Sequence, residues 1–268
     1  MFTFDPHPVR LLRPEQCPPP LTWTERKAEL LAAQGVDWLV AYPTDEALLQ
    51  LSAVDFFEQI VRSKLAAKAM VEGPNFFFGH NREGTVERLA ELAKSAGMSL
   101  DVVQPVMIDG AIVSSSRVRE LIRIGNVEEA RALLSAPYRI RGMVTHGAGR
   151  GAKIGFPTAN LSGVDTLLPA LGVYAGRAWL SPTSPASRAV PGPEESYPAA
   201  INLGPSPTFG DAMIRVEVHL IRHNEALYGQ PLEVDFLARL RDIRPFDSPA
   251  ALVEQLRVDV EDVKRIVV

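Results

Sequence analysis

The run FPTAN at residues 156–160 places two oxygen-bearing side chains, Thr158 and Asn160, two positions apart behind the glycine-rich stretch HGAGRGAKIG. In an extended segment alternate residues point the same way, so this pair can share one hard cation such as magnesium. Gly147, Gly149, Gly151 and Gly155 form a flexible flap able to bring backbone N–H groups to phosphates, and Lys153 adds a cation within it. Two nucleotide fingerprints fit badly. Gly147, Gly149 and Ala152 satisfy G-x-G-x-x-A, but that motif requires a following helix, and Pro157 and Asn160 arrive first. Lys153 is followed by Ile154 where a Walker loop needs Ser or Thr. Further on, MIRVEVHLI alternates strictly, with Arg215, Glu217 and His219 on the face opposite Ile214, Val216, Val218 and Leu220. A carboxylate beside a metal–phosphate site is a candidate general base for an alcohol nucleophile, although the same face also reads as ordinary solvated surface.

A second set of candidates lies in the first half. DPHP, PTDEA, GPNFFFGHNREG and DGAIVSSSRVR each follow a strand-like run, where the crevice of an α/β sheet binds ligands. The last has three serines at a helix start beside Arg117 and Arg119, a set of hydroxyl, amide and guanidinium donors that suits a phosphate. Plainer readings compete: serine is a good helix cap, three phenylalanines make core or a loop anchor, and His7 between two prolines is a turn residue.

The elements that must position these groups fall into two textures. Through residue 135 strands and helices alternate. TWTERKAELLAAQ has Thr22 and Glu25 at capping-box spacing, and VDWLVAYP is a short buried strand ended by Pro43. SAVDFFEQIVRSKL is a helix opened by Ser52 and Asp55 with Phe56, Ile60 and Val61 on one face. AKAMVEG, TVERLAELAKSAG and MSLDVVQPVMI continue as strand, helix and strand. This predicts a parallel sheet covered on both faces. SSRVRELIRIG and NVEEARALLS are two consecutive helices that close the unit before Pro137. After Tyr138 strands arrive without helices: YRIRGMVTH, GVYAGRAWL, YPAAINLG, MIRVEVHLI and PLEVDFLARL, the pattern of an antiparallel barrel or sandwich. A last helix has Ser248 as cap, Pro249 at its first position and Leu252, Leu256, Val260 and Val263 as its stripe. The proline-rich SPTSPASRAVPGPEES reads as a mobile hairpin insertion.

Composition sets the outer limits. A chain of 268 residues, 46% hydrophobic and 22% charged, accommodates two ordinary domains. No apolar run approaches the ~18 residues of a membrane span, and Asp5 with its neighbouring prolines interrupts any signal-peptide core. A net charge of -4 argues against a nucleic-acid surface while leaving room for a local basic pocket. Cys17 is the lone cysteine, with no partner for a disulfide or zinc site, so the expected address is a reducing cytoplasm.

The segments FTFDPHP, GPNFFFGHNREG, VSSSRVRELI, GFPTANL, INLGPSPTFG, RVEVHLI and LYGQPLEVDFLARLRDIRPFDS together resemble the bacterial bifunctional riboflavin kinase/FMN adenylyltransferase family, in order over nearly the whole chain. The resemblance implies an α/β Rossmann-like nucleotidyltransferase domain over 1–136 and an antiparallel β-barrel riboflavin kinase domain with a C-terminal helix over 137–268. It implies riboflavin, FMN and ATP as substrates and products, with Mg²⁺. Thr158 and Asn160 would bind the Mg-ATP phosphates under the flap, and Glu217 would take the proton of the terminal ribityl hydroxyl. Relatives usually carry Arg after the flap's middle glycine, whereas Ala152 and Lys153 follow Gly151 here, leaving open which cation meets the phosphates.

For adenylylation the resemblance implies an ATP-gripping H-x-G-H loop, and none of the five histidines (His7, His80, His146, His219, His223) forms one. The family places that loop before the strand that FTFDPHP resembles, so the expectation is an incomplete first domain. His7, Asn75, Phe78, Ser115 and Arg119 would be the surviving nucleotide crevice, with impaired FAD synthesis. A non-catalytic flavin- or nucleotide-binding relative, and a different nucleotidyltransferase with an accessory barrel, are the alternatives.

Overall fold

The structure is a computed structural model and describes residues 1–147, 149–180, 196–205 and 214–267. It divides into two compact units, one of Met1–Cys17 with Leu30–Val113 and one of Pro18–Glu29 with Ser114–Val268.

In the first unit β1 (Phe2–Asp5) is followed by α1 (Pro8–Leu12), and after α2 (Thr24–Ala32), which spans both units, come β2 (Val40–Pro43), α3 (Glu46–Leu49) and α4 (Ala53–Phe56). Helix α4 runs on as a π-helical segment over Phe57–Lys64. Then follow β3 (Ala69–Glu72), α5 (Val86–Ser95), β4 (Ser99–Val102) and a small hairpin of β5 (Met107–Ile108) and β6 (Ala111–Ile112). Ser52 caps α4 as expected, its hydroxyl 3.0 Å from the Asp55 amide. Helix α2 begins at Thr24, and the Lys27 amide bonds the Trp23 carbonyl, so Trp23 takes the cap position expected of Thr22. The expected strand over VDWLVAYP is only four residues long, because its partner β1 offers four residues to pair with and Trp38 is left 80% exposed.

The pairing is parallel, but it forms two separate two-stranded ladders, β1–β2 and β3–β4. One hydrophobic cluster unites them: Phe2, Phe4, Tyr42, Met70 and Leu100 pack on Phe56, Phe57, Ile60, Phe78 and Leu89. Coverage is one-sided, since Val71 is 63% exposed. The expectation of a sheet buried on both faces therefore fails, because the helical residues of this cluster lie on the face of the inward-pointing side chains.

The second unit is built on a closed barrel, in the order β10-β11-β8-β7-β12-β9, with β7 (Tyr138–Thr145), β8 (Ala159–Ser162), β9 (Gly172–Leu180), β10 (Ser196–Pro205), β11 (Ile214–Leu220) and β12 (Pro231–Arg241). All neighbouring strands pair antiparallel. Val216, Val218 and Leu220 point inward beside Ile140, Ile201, Leu203, Val234 and Phe236, and all are nearly inaccessible to water. Helix α9 (Pro249–Val267) starts where Ser248 caps it, with the Ser248 hydroxyl 3.2 Å from the Ala251 amide. Its Val263 and Val267 pack on Ala175, Ile221 and Leu237 of the barrel unit. The proline-rich insertion falls at 181–196, of which 181–195 lie outside the described residues.

Helices α6 (Ser115–Ile124) and α7 (Val127–Leu134), which the sequence pattern groups with the first domain, pack on the barrel. Arg239 of β12 donates to the carbonyls of Ile124 and Leu171 at 3.1 and 2.8 Å, and its own amide donates to Glu128 at 3.0 Å. The bond to Ile124 caps the carbonyl end of α6, and the bond to Glu128 ties the first turn of α7 to β12.

Candidate functional site

A cavity of about 380 Å³ opens on the outer wall of the barrel. It is lined by the flap residues Gly149, Arg150 and Gly151, by Thr158 and Asn160, by Asn202, Glu217 and His219, and by an apolar side of Ile243, Phe246, Leu252, Leu256 and Val260.

The geometry at its centre follows from strand register. Glu217 of β11 is directly paired with Asn202 of β10 on one side and Asn160 of β8 on the other. Residues in register on adjacent strands project on the same face about 5 Å apart. Because Val216 and Val218 point into the barrel, Glu217 must point out of it. The Asn202 amide donates to Glu217 Oε2 at 3.2 Å, and Arg215 approaches Oε1 at 3.5 Å. The carboxylate is therefore held from two sides, half-buried, and facing the cavity.

Thr158 and Asn160 line the same cavity, as their spacing predicts. The flap crowds onto them. A Cβ at Gly147 would collide with the Asn160 side-chain amide, and one at Gly151 would strike the Phe156 carbonyl oxygen and sit 3.7 Å from Thr158 Oγ1. At Gly151 the obstacle is backbone, so only glycine permits that approach. The flap is less free than its composition suggests, since Arg150–Lys153 form one helical turn, α8. Arg150 lines the cavity and has no ion-pair partner among the described residues, whereas Lys153, Gly147 and Gly155 are not part of the lining. The donor set of a threonine hydroxyl, an asparagine amide oxygen and a carboxylate suits a hard divalent cation that brings water and phosphate oxygens as further ligands. Among the described residues no cluster of three His, Cys, Asp or Glu side chains offers a transition-metal site.

The apolar side of the cavity is braced by a buried carboxylate. Asp259 of α9, 2% exposed, takes a two-pronged salt bridge from Arg241, with Nε to Oδ1 at 3.0 Å and Nη2 to Oδ2 at 2.7 Å. Gln255 donates to the same carboxylate at 2.8 Å. Arg241 and Arg244 both lie against the ring of Phe246, 5.7 and 5.3 Å from its centroid.

Of the first-half candidates, His7, Asn75 and Phe78 belong to the first unit and Ser115 and Arg119 to the second. His7 caps α1, its Nδ1 3.2 Å from the Val9 amide. Phe78 is buried in the core cluster, and its backbone bridges to Gly84. Glu83 Oε1 accepts from the Ala53 amide at 2.6 Å, so FFFGHNREG acts as a brace for α4. Ser115 opens α6 behind its cap Ser114, and Arg119 donates to the Pro19 carbonyl at 3.3 Å. At the carboxyl end of β3, burial pushes the Glu72 carboxyl up from its usual value.

Sequence reasoning missed Asn202, Arg150, Arg241 and Asp259 as parts of the cavity. Asp259 had a signal: it stands three residues after Leu256 and four before Val263, a charge within an apolar stripe that needs a partner. Asn202 had none, because only its pairing with Glu217 gives it a task.

Two family models match the chain: FAD synthetase over residues 1–117 and riboflavin kinase over residues 134–267. A bifunctional riboflavin kinase/FMN adenylyltransferase of Pseudomonas fluorescens is 32% identical over 96% of this chain and 79% of its own length. The like-named protein of Bacillus subtilis (strain 168) is 31% identical over 99% of this chain and 81% of its own. Among solved structures, one titled a macrolide-efflux protein from Streptococcus pneumoniae superposes with a TM-score of 0.81 at 31% identity, covering 98% of this chain and 82% of that one. No helix among the described residues is long and apolar enough to cross a membrane.

Proposed function

This chain belongs to the bifunctional riboflavin kinase/FMN adenylyltransferase family, and on that premise we propose that the cavity on its barrel is where ATP phosphorylates riboflavin to FMN. The observation that carries the proposal is the cross-strand row Asn202, Glu217, Asn160 opening onto one cavity with Thr158 and the flap.

Phosphoryl transfer asks a protein mainly to position reactants, neutralise charge and orient the nucleophile. Thr158 Oγ1 and Asn160 Oδ1 are the side chains that would hold magnesium with the ATP phosphates, and the ion would supply charge neutralisation on the phosphate oxygens. Arg150 on the flap adds a guanidinium, and the crowded glycines bring backbone close to the same oxygens. Glu217, oriented by Asn202, accepts the proton of the substrate's primary hydroxyl as its oxygen bonds to the γ-phosphorus and the bond to ADP breaks. The apolar side around Phe246, Leu252 and Leu256 suits a flat aromatic ring system, so the substrate would lie with its rings toward α9 and its ribityl end toward Glu217.

Incubating the protein with riboflavin, ATP and Mg²⁺ and separating flavins by chromatography tests the assignment, and absence of FMN overturns it. The same assay reads the second family activity, FMN adenylylation. That activity rests on the FAD synthetase match, and FAD appearing beside FMN would report it.

A further inference from the structure

We infer that His219 is a positioning residue that fixes the Phe156–Thr158 segment against the strand bearing Glu217, holding the metal–phosphate ligands and the proton acceptor at a set spacing. This rests on the reading of Thr158 and Asn160 as ligands of the magnesium–nucleotide.

The ladder between β8 and β11 runs Val216 to Leu161, Glu217 to Asn160 and Val218 to Ala159, and there it stops. Continued by one position it would bring His219 opposite Thr158, but β8 begins only at Ala159. The preceding residue, Pro157, has no N–H with which to extend the pairing. Thr158 therefore lies just beyond the last backbone bond that could locate it. The His219 side chain takes over from the ladder. Its Nδ1 is 2.7 Å from the Pro157 carbonyl oxygen. A carbonyl only accepts, so Nδ1 carries the proton and donates. The imidazole also meets the Phe156 ring edge-on, with centroids 5.5 Å apart at 63°. Both residues before Thr158 are thus tied to a side chain two positions from Glu217 on the same face of β11. Small displacements of reacting groups cost large factors in rate, which gives the tie its consequence.

Asparagine and glutamine substitutions separate this role from packing, because an asparagine amide reaches about where Nδ1 sits and a glutamine amide reaches about where Nε2 sits. The probe is MgADP, titrated calorimetrically onto the full chain, with riboflavin binding followed by its fluorescence. His219→Asn should bind MgADP within about twofold of the parent, while His219→Gln and His219→Ala should bind about fivefold or more weakly, the factor that one hydrogen bond contributes. Riboflavin affinity should hold in all three, and kcat should fall with MgADP affinity. Unchanged MgADP affinity in His219→Ala overturns the inference, as does His219→Asn being impaired as much as His219→Gln. If His219→Ala does not fold, the asparagine–glutamine pair alone decides. Failure of the underlying reading looks different: Thr158→Ala and Asn160→Ala would then leave MgADP affinity untouched.

Discussion

Asn202 and Glu217, register partners on adjacent barrel strands, are joined by a 3.2 Å hydrogen bond from the asparagine amide to one carboxylate oxygen. The other oxygen lies 3.5 Å from Arg215, and the row continues from Glu217 to Asn160. This pins the carboxylate's rotation before any substrate arrives.

Glu217→Gln keeps the shape and removes the proton acceptor. FMN formation should fall by about 10²–10⁴ in kcat, the range for a general base, with riboflavin binding retained. Turnover near the parent rate would show that another group takes the proton.

Asn202→Ala should lower kcat about tenfold, since a single orienting hydrogen bond disappears while the carboxylate stays. Steady-state kinetics with saturating ATP and riboflavin would measure it. An unchanged kcat would mean that Asn202 does not orient the base.

Arg150→Ala should raise KM for ATP about tenfold, because it removes a charge-assisted hydrogen bond to the phosphates, while Lys153→Ala should change it little. The cavity lining includes the first and omits the second. The reverse ranking would move the phosphate-binding role to Lys153.

Asp259→Asn removes the charge that answers Arg241 in a nearly inaccessible place. Breaking one side of a buried pair costs about 3 kcal/mol or more, which should appear in urea unfolding as a lower midpoint. Because Arg241 packs on Phe246, riboflavin affinity should fall as well. A stability loss near zero would show that water reaches the pair.

Stability should decline in alkali. Burial pushes the Tyr174 hydroxyl up to about 12 from 10.0, and pushes Tyr138 up as well. The folded chain then holds these protons more tightly than the unfolded chain, so their contribution is complete below pH 10 and is lost as pH rises from about 10 through the folded value. Urea midpoints measured from pH 8 upward should fall from near pH 10, and Tyr174→Phe should flatten part of that fall. A midpoint that does not change up to pH 11 would refute the assignment.

Local chemistry made much of this protein legible without coordinates. Thr158 and Asn160 were readable because a two-residue period in extended chain puts both on one side, and Glu217 because strict alternation in RVEVHLI leaves its charged residues on one face. Ser52 and Ser248 as caps, and the strand-rich second half, rest on the same short-range rules. Other readings failed where distant partners decided. The strand at VDWLVAYP is shorter than its apolar run because its partner is short, and α6 and α7 are tied to the barrel by Arg239, far along the chain, which bonds the Ile124 carbonyl and the Glu128 side chain.

By itself the sequence determined the kinds of groups present and which of them share a face, since both follow from backbone period and side-chain chemistry within a few residues. Only the tertiary structure decided which faces meet. Closure of the barrel brings β10, β11 and β8 side by side, so that Asn202, Glu217 and Asn160 form one row. Burial against that wall matches Asp259 of α9 with Arg241 of β12. Register and closure are long-range outcomes of packing, and no local pattern around any one of these residues encodes its partner.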